Sequence, residues 1–252
     1  MGILYLVRHG QANSSGLHTT NVADGAMEST YDQLTSLGYE QAAATGRSLA
    51  SRISVPHPLV LSGPLGRQLN TAQSIHKELT SAGLKPEAVD TVEQWREFNS
   101  DEVLAPYLRT HPEVLAEIRQ AYAIARDEGT PQAKKEHNRL LGRAIDTALQ
   151  QWRSGSGFEG FAEQVKQGFS KAVSLTSEHE SVVVVTSGGP ISLCTAELIG
   201  ADWTRLINNL FTASVSVFSV RSAGKAQLLS FNEHAHLDLP DASGKRPLRH
   251  YR

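Results

Sequence analysis

Three uninterrupted apolar runs constrain this chain most, because each breaks off at a glycine-containing turn. Ile3-Leu4-Tyr5-Leu6-Val7 stops at Arg8-His9-Gly10, Leu59-Val60-Leu61 at Ser62-Gly63-Pro64, and Val182-Val183-Val184-Val185 shortly before Ser187-Gly188-Gly189-Pro190. Short apolar runs without alternation are the pattern of strands buried on both faces, as in a parallel sheet covered by helices. Helical patterning fills the intervals. Residues 35–52 are Ala-rich, with Thr35 or Ser36 placed to cap, and residues 69–79 continue in the same style. Phe161, Val165, Phe169 and Val173 recur every four residues, and residues 191–199 follow the fourth turn as a helix. Residues 89–92 offer a third strand. Val215, Val217 and residues 228–231 suggest two more, joined in a hairpin across Gly224. Strands alternating with helices predict an α/β fold: a three-layer sandwich with a mostly parallel central sheet flanked by helices.

Composition removes several functions. With 24 Lys+Arg against 26 Asp+Glu, the net charge of −2 provides no basic excess for nucleic acid. A single cysteine excludes an internal disulfide framework and a multi-cysteine metal cluster. No run approaches the ~18 apolar residues of a membrane span, and no basic leader opens the sequence, so no membrane partner and a cytoplasmic location are expected.

Three motifs are better discarded. Gly155-Ser156-Gly157-Phe158-Glu159-Gly160 spells a dinucleotide fingerprint, but helical sequence and not a strand precedes it. Glu233-His234-Ala235-His236-Leu237-Asp238 imitates a metal site without a partner cluster, so no metal is assigned. Cys194 lacks the arginine six positions on that a cysteine-dependent phosphatase requires, position 200 being glycine; a buried structural thiol is expected.

Arg8-His9-Gly10 stands at the carboxyl end of the first strand, where open α/β sheets place ligands. An imidazole there can serve as a nucleophile, a guanidinium can fork onto an anionic oxygen, and Gly10 allows close backbone approach. Ser62-Gly63-Pro64-Leu65-Gly66-Arg67 brings a second arginine to the next strand's end, followed by Thr71-Ala72. With these motifs the sequence resembles the histidine phosphatase (phosphoglycerate-mutase-like) superfamily. The likeness extends to Leu34-Thr35-Ser36-Leu37-Gly38 with Gln41-Ala42, runs through residues 183–191, and ends on Asn232 and His236-Leu237.

The resemblance implies hydrolysis of a phosphomonoester, on a small molecule or a phosphoprotein, through a phosphohistidine on His9. Arg8 and Arg67 would bind phosphoryl oxygens, and no cofactor or metal is needed. The general acid is expected after the third strand, Glu97 first and Glu93 second. Where the family usually carries a second histidine before Gly-Gly, this chain has Ser187, so Ser187 and Gly188 are left to bind substrate together with Arg8, Gly10 and Arg67. That substitution also admits a weakly catalytic relative that binds a phosphorylated ligand, with His18, His111 and His137 as candidate replacements. A mutase is the lesser alternative, because Gln11-Ala12-Asn13-Ser14 does not continue as mutases do.

One domain over residues 1–252 is expected. Within it, residues 101–153, broken at His111-Pro112 and Gly129-Thr130-Pro131 and closed by a joint at Ser154-Gly155-Ser156-Gly157, would form a helical insertion covering the active-site edge. The basic residues there (Arg109, Lys134, Lys135, Arg139, Arg143) are expected mainly to be a solvated face. Residues 238–252 read as a polar, basic, disordered tail, and the oligomeric state stays open.

Overall fold

Each apolar run becomes a central strand. In a computed structural model that describes residues 2–13, 32–221, 225–240 and 243–249, the strands are β1 (Gly2–Arg8), β2 (Leu59–Ser62), β3 (Asp90–Thr91), β4 (Ser181–Thr186), β5 (Val215–Val220) and β6 (Ala226–Glu233). They form one sheet in the order β3-β2-β4-β1-β5-β6. The first four are parallel to one another, while β5 runs antiparallel to both its neighbours, β1 and β6. The sheet is therefore mostly parallel, as the continuous apolar runs require. The third strand is shorter than residues 89–92 because Val92 donates to Ser62 O (2.7 Å) and the chain then winds into a 3₁₀ turn, Glu93–Trp95. The tip of the β5–β6 hairpin, with Gly224, lies outside the described residues.

Helices cover both faces. Tyr5, Val7, Val60, Val183, Val185, Val215 and Val217 pack with Leu49 and Ile53 beside α1 (Ser36–Ala50), and with Ala72, Ile75 and Leu79 of α2 (Gly66–Ser81). Thr35 caps α1, its hydroxyl accepting from Gly38 N at 3.0 Å. On the opposite face, Phe169 packs edge-on against Phe218 with centroids 5.5 Å apart. That phenylalanine belongs to the long helix α6 (Ser156–His179), and α7 (Gly188–Ile199) and α8 (Trp203–Ile207) follow β4. Cys194 in α7 is buried, and burial pushes its thiol far above the ordinary value, which leaves it an inert packing group.

Contacts divide the chain into two compact units, Met1–Glu97 with Glu163–Arg252, and Phe98–Ala162. The second holds α3 (Ser100–Thr110), α4 (Pro112–Glu128), α5 (Pro131–Trp152) and the start of α6 (Ser156–His179). Pro112 opens α4 after His111, Gly129 ends it in the left-handed conformation, and Thr130 caps α5 ahead of Pro131, so both breaks read from the sequence are real helix boundaries. The unit is wider than residues 101–153 because an aromatic cluster ties its ends: Phe98 lies 5.1 Å from Trp152 and 5.5 Å from Phe161. Its basic side chains are exposed, and Arg139 pairs with Glu136. No helix among the described residues is long and apolar enough to cross a membrane.

Two expectations need correction. The joint at 154–157 is shorter than read, since Ser156 and Gly157 already belong to α6. Its glycine serves packing: a Cβ on Gly157 would lie 2.8 Å from Trp152 Nε1. The tail is also not free over residues 243–249. Leu248 packs with Ala44, Ala213 and Leu237, and Leu248 O accepts from Gln41 Nε2 at 2.8 Å. Gly157→Ala should therefore destabilise the helical unit by about 1–3 kcal/mol, despite alanine's better helix propensity, because the rigid indole has to move. Urea unfolding of the variant measures this; an unchanged or raised midpoint would show that Trp152 yields without cost.

Candidate active site

Strand register brings the motif turns to one edge. Arg8 is opposite Thr186 across β1 and β4, and Ser62 is opposite Val185 across β2 and β4, so all three strands end within one residue of each other. The ladder continues into the turns: His9 N donates to Thr186 O and Gly63 N to Val185 O, both at 2.9 Å. Residues distant in sequence thereby share one rim.

His9 is held in a defined tautomer. Its Nδ1 lies 2.7 Å from Gly10 O, and a carbonyl can only accept, so Nδ1 carries the proton. Nε2 keeps its lone pair and faces Arg67, whose Nε donates to it at 3.3 Å. Gly10 is fixed in turn, its N–H donating to Thr71 Oγ1 at 3.0 Å. On the side where a Cβ would stand, Gly10 meets backbone. A Cβ on Gly10 would lie 2.4 Å from Gly38 O, and one on Gly38 would lie 2.1 Å from Gln11 O. The two glycines let α1 press directly against the Arg8-His9-Gly10 turn.

Both arginines are buried to 7% exposure, and buried guanidinium ions need acceptors. Arg8 Nη1 makes a short contact with Leu210 O, and its backbone N–H donates to Ser214 O at 3.0 Å. Arg67 Nη1 pairs with Asp32 Oδ1 at 2.8 Å, and the same carboxylate accepts from the backbone N–H groups of Gly66 and Arg67. Asp32 is the residue the sequence reading missed. It caps α2 from 34 positions away, which explains why that helix starts at Gly66 rather than at residue 69.

Ser187 and Gly188 sit where β4 turns into α7. Ser187 is 1% exposed, and its hydroxyl accepts from Gln68 Nε2 at 2.8 Å. The Gln68 carboxamide also accepts from Leu65 N and donates to Trp95 O, each at 3.1 Å. Gly188 lies beside Arg8, a Cβ there falling 3.9 Å from Arg8 Nε. Trp95 O receives Thr186 Oγ1 as well (2.7 Å), which anchors the segment leading to Glu97. Glu97 Oε2 then accepts from Gly189 N at 2.9 Å, at the amino end of α7. Arg96 instead takes Glu93, in an exposed pair, so Glu93 is engaged at the surface while Glu97 joins the rim.

The structure thus gathers Arg8, His9, Arg67, Ser187, Gly188 and Glu97 at one edge. His18 lies outside the described residues. His111 and His137 are engaged inside the helical unit, His111 stacked on Tyr107 and His137 buried against Tyr122.

The family model of the histidine phosphatase superfamily (branch 1) matches residues 4–127 and 121–234. The chain belongs to this superfamily. No curated protein matches the chain in sequence. Among solved structures, this histidine phosphatase chain is similar to the mycobacterial glucosyl-3-phosphoglycerate phosphatase in complex with VO3, with 18% identity, a TM-score of 0.55, and coverage of 93% of this chain and 100% of that one. It is also similar to a phosphoserine phosphatase mutant from Entamoeba histolytica in complex with phosphoserine, with 21% identity, a TM-score of 0.51, and coverage of 94% and 100%. These likenesses carry the fold.

His236 reaches the loop that meets the nucleophile candidate, Ala213 N of that loop donating to His9 O at 3.1 Å. His236 Nε2 is 3.1 Å from Ala213 O and 3.0 Å from Thr45 Oγ1, holding the loop in which Ala213 adopts φ 58°. Burial lowers the pKa of His236 from its ordinary 6.5. The unfolded chain therefore takes up this proton first as pH falls. The stability due to neutral His236 is whole above about pH 6.5 and is lost below it. Between about pH 7.5 and 5, wild type should lose more unfolding free energy than His236→Gln, which keeps a donor and does not titrate. Parallel profiles in urea would contradict this.

Proposed function

We propose that the protein is a phosphatase that hydrolyses a phosphomonoester through a phosphohistidine on His9. One observation carries the reading: His9 Nδ1 is committed to Gly10 O while Nε2 faces the guanidinium of Arg67. A nucleophilic lone pair is thereby aimed at the place where an anion would be bound.

Arg8 and Arg67 take the phosphoryl oxygens, with Gly188 and the hydroxyl of Ser187 at the rim beside them. Substrate oxygen replaces Nε2 as the partner of Arg67 Nε, which frees the lone pair for attack. The Nε2–P bond forms as the bond from phosphorus to the ester oxygen breaks. Glu97, protonated, gives its proton to the departing oxygen; a phosphoryl dianion bound nearby favours that protonated carboxyl through like-charge repulsion. Glu97, now a carboxylate, then takes a proton from water. Water's oxygen bonds to phosphorus, the Nε2–P bond breaks, and inorganic phosphate leaves. The two arginines stabilise charge in both steps, so no metal is required.

The substrate class is a phosphorylated small molecule or a phosphoprotein. The solved relatives named above support the small molecule, since each is described as a phosphatase of one. The replacement of a cation by Ser187 lowers the charge available to the dianion, and a member that binds without turning over is the second reading. A panel of phosphomonoesters incubated with wild type and His9→Ala separates them. Wild type should release phosphate and His9→Ala should fall to background. Background release from both, with phosphate ester still bound, would establish the binding reading. Equal release from both would remove His9 from the reaction.

A further inference from the structure

We propose that Asn232 is a positioning residue for Arg8, setting the phosphate-binding guanidinium by clamping the backbone on both sides of Leu210. The proposal rests on the assignment of Arg8 to phosphate binding made above. Asn232 lies at the end of β6 with φ 59°, a left-handed conformation that asparagine tolerates better than other residues with a side chain. Its Nδ2 donates to Asn209 O at 2.7 Å, and its Oδ1 accepts from Phe211 N at 2.9 Å. The carboxamide therefore pairs with the two peptide groups flanking Leu210, as a neighbouring strand would. Leu210 O, held between them, is the carbonyl that receives Arg8 Nη1.

Asn232 is fixed in turn by β5, since its own N–H donates to Ser216 Oγ at 3.1 Å. The same loop closes on the nucleophile, Ala213 N donating to His9 O at 3.1 Å and Ser214 O accepting from Arg8 N. A planar side chain with a donor and an acceptor at fixed spacing can bind a carbonyl and an N–H two residues apart in this way. A buried guanidinium follows its acceptors, so displacing Leu210 O re-aims Arg8.

A double-mutant cycle tests the assignment, read by direct calorimetric binding of orthovanadate to the full chain. The proteins are wild type, Asn232→Gly, Arg8→Ala and the double variant. Glycine keeps the left-handed backbone and deletes the clamp. Asn232→Asp, which keeps shape and the acceptor but loses the Nδ2 donor, stands in if the glycine variant does not fold. Arg8→Ala should weaken vanadate by about tenfold or more, the usual worth of a charge-assisted contact. Asn232→Gly should weaken it about as much in the wild-type background and not further once Arg8 is gone. Equal weakening in both backgrounds, or none from Asn232→Gly while Arg8→Ala binds poorly, would overturn the positioning role. Undiminished binding by Arg8→Ala would overturn the site assignment itself, and the inference with it.

Discussion

Parallel register at the ends of β1, β2 and β4 is the constraint on which the rest of the molecule depends. With Arg8 opposite Thr186 and Ser62 opposite Val185, the turns after these strands emerge side by side. A slip of one residue would turn every side chain of a strand to the other face and carry Arg8, His9 or Ser187 off the rim. The register is secured by valines and leucines buried on both faces, and by the hydrogen bonds that extend the ladder to His9 and Gly63. The chemistry at the edge is therefore set by packing in the middle of the sheet.

Around that edge, the charged groups are controlled by carbonyls and by one distant carboxylate. Arg8 is held by the 210–214 loop, Arg67 by Asp32, His9 by Gly10 O, and Glu97 by Gly189 N. The proposed phosphoryl transfer needs such preorganisation, because the donors must already be aimed where charge develops. Ser187 takes its place in the same scheme. It completes the network of the buried Gln68, which bridges the ends of β2 and β4 to the segment that carries Glu97. The serine thus has a packing partner of its own.

The central strands, the cap at Thr35 and the helix breaks at 111 and 129 were legible in the sequence, because each follows from local pattern or turn chemistry. The meeting of Arg8, His9 and Arg67 at one edge was legible from their places at strand ends and the family motifs, and that of Glu97 only from the region after the third strand. Asp32 was not, since its partners are 34 and 35 positions away and nothing in its surroundings marks it as a cap for another helix. The meeting of Gly10 with Gly38 was equally hidden: two motif glycines looked like separate turn residues until backbone was found against backbone. Phe98 lies outside any helical repeat and meets rings distant in sequence, Trp152 and Phe161, so the boundary was read three residues late. The tail misled by composition, because Leu248 packs into an apolar cluster while Arg246 and Arg249 bind Asp238, contacts that a polar, basic stretch does not advertise.

The central claim is that phosphorus passes through His9. The direct measurement is to mix the enzyme briefly with a phosphomonoester carrying labelled phosphorus, quench in alkali, and map the label by peptide. A phosphoramidate on His9, stable in alkali, lost in acid and missing from His9→Ala, is the predicted result. Phosphate release with no label on His9, or label on another residue, would contradict the account.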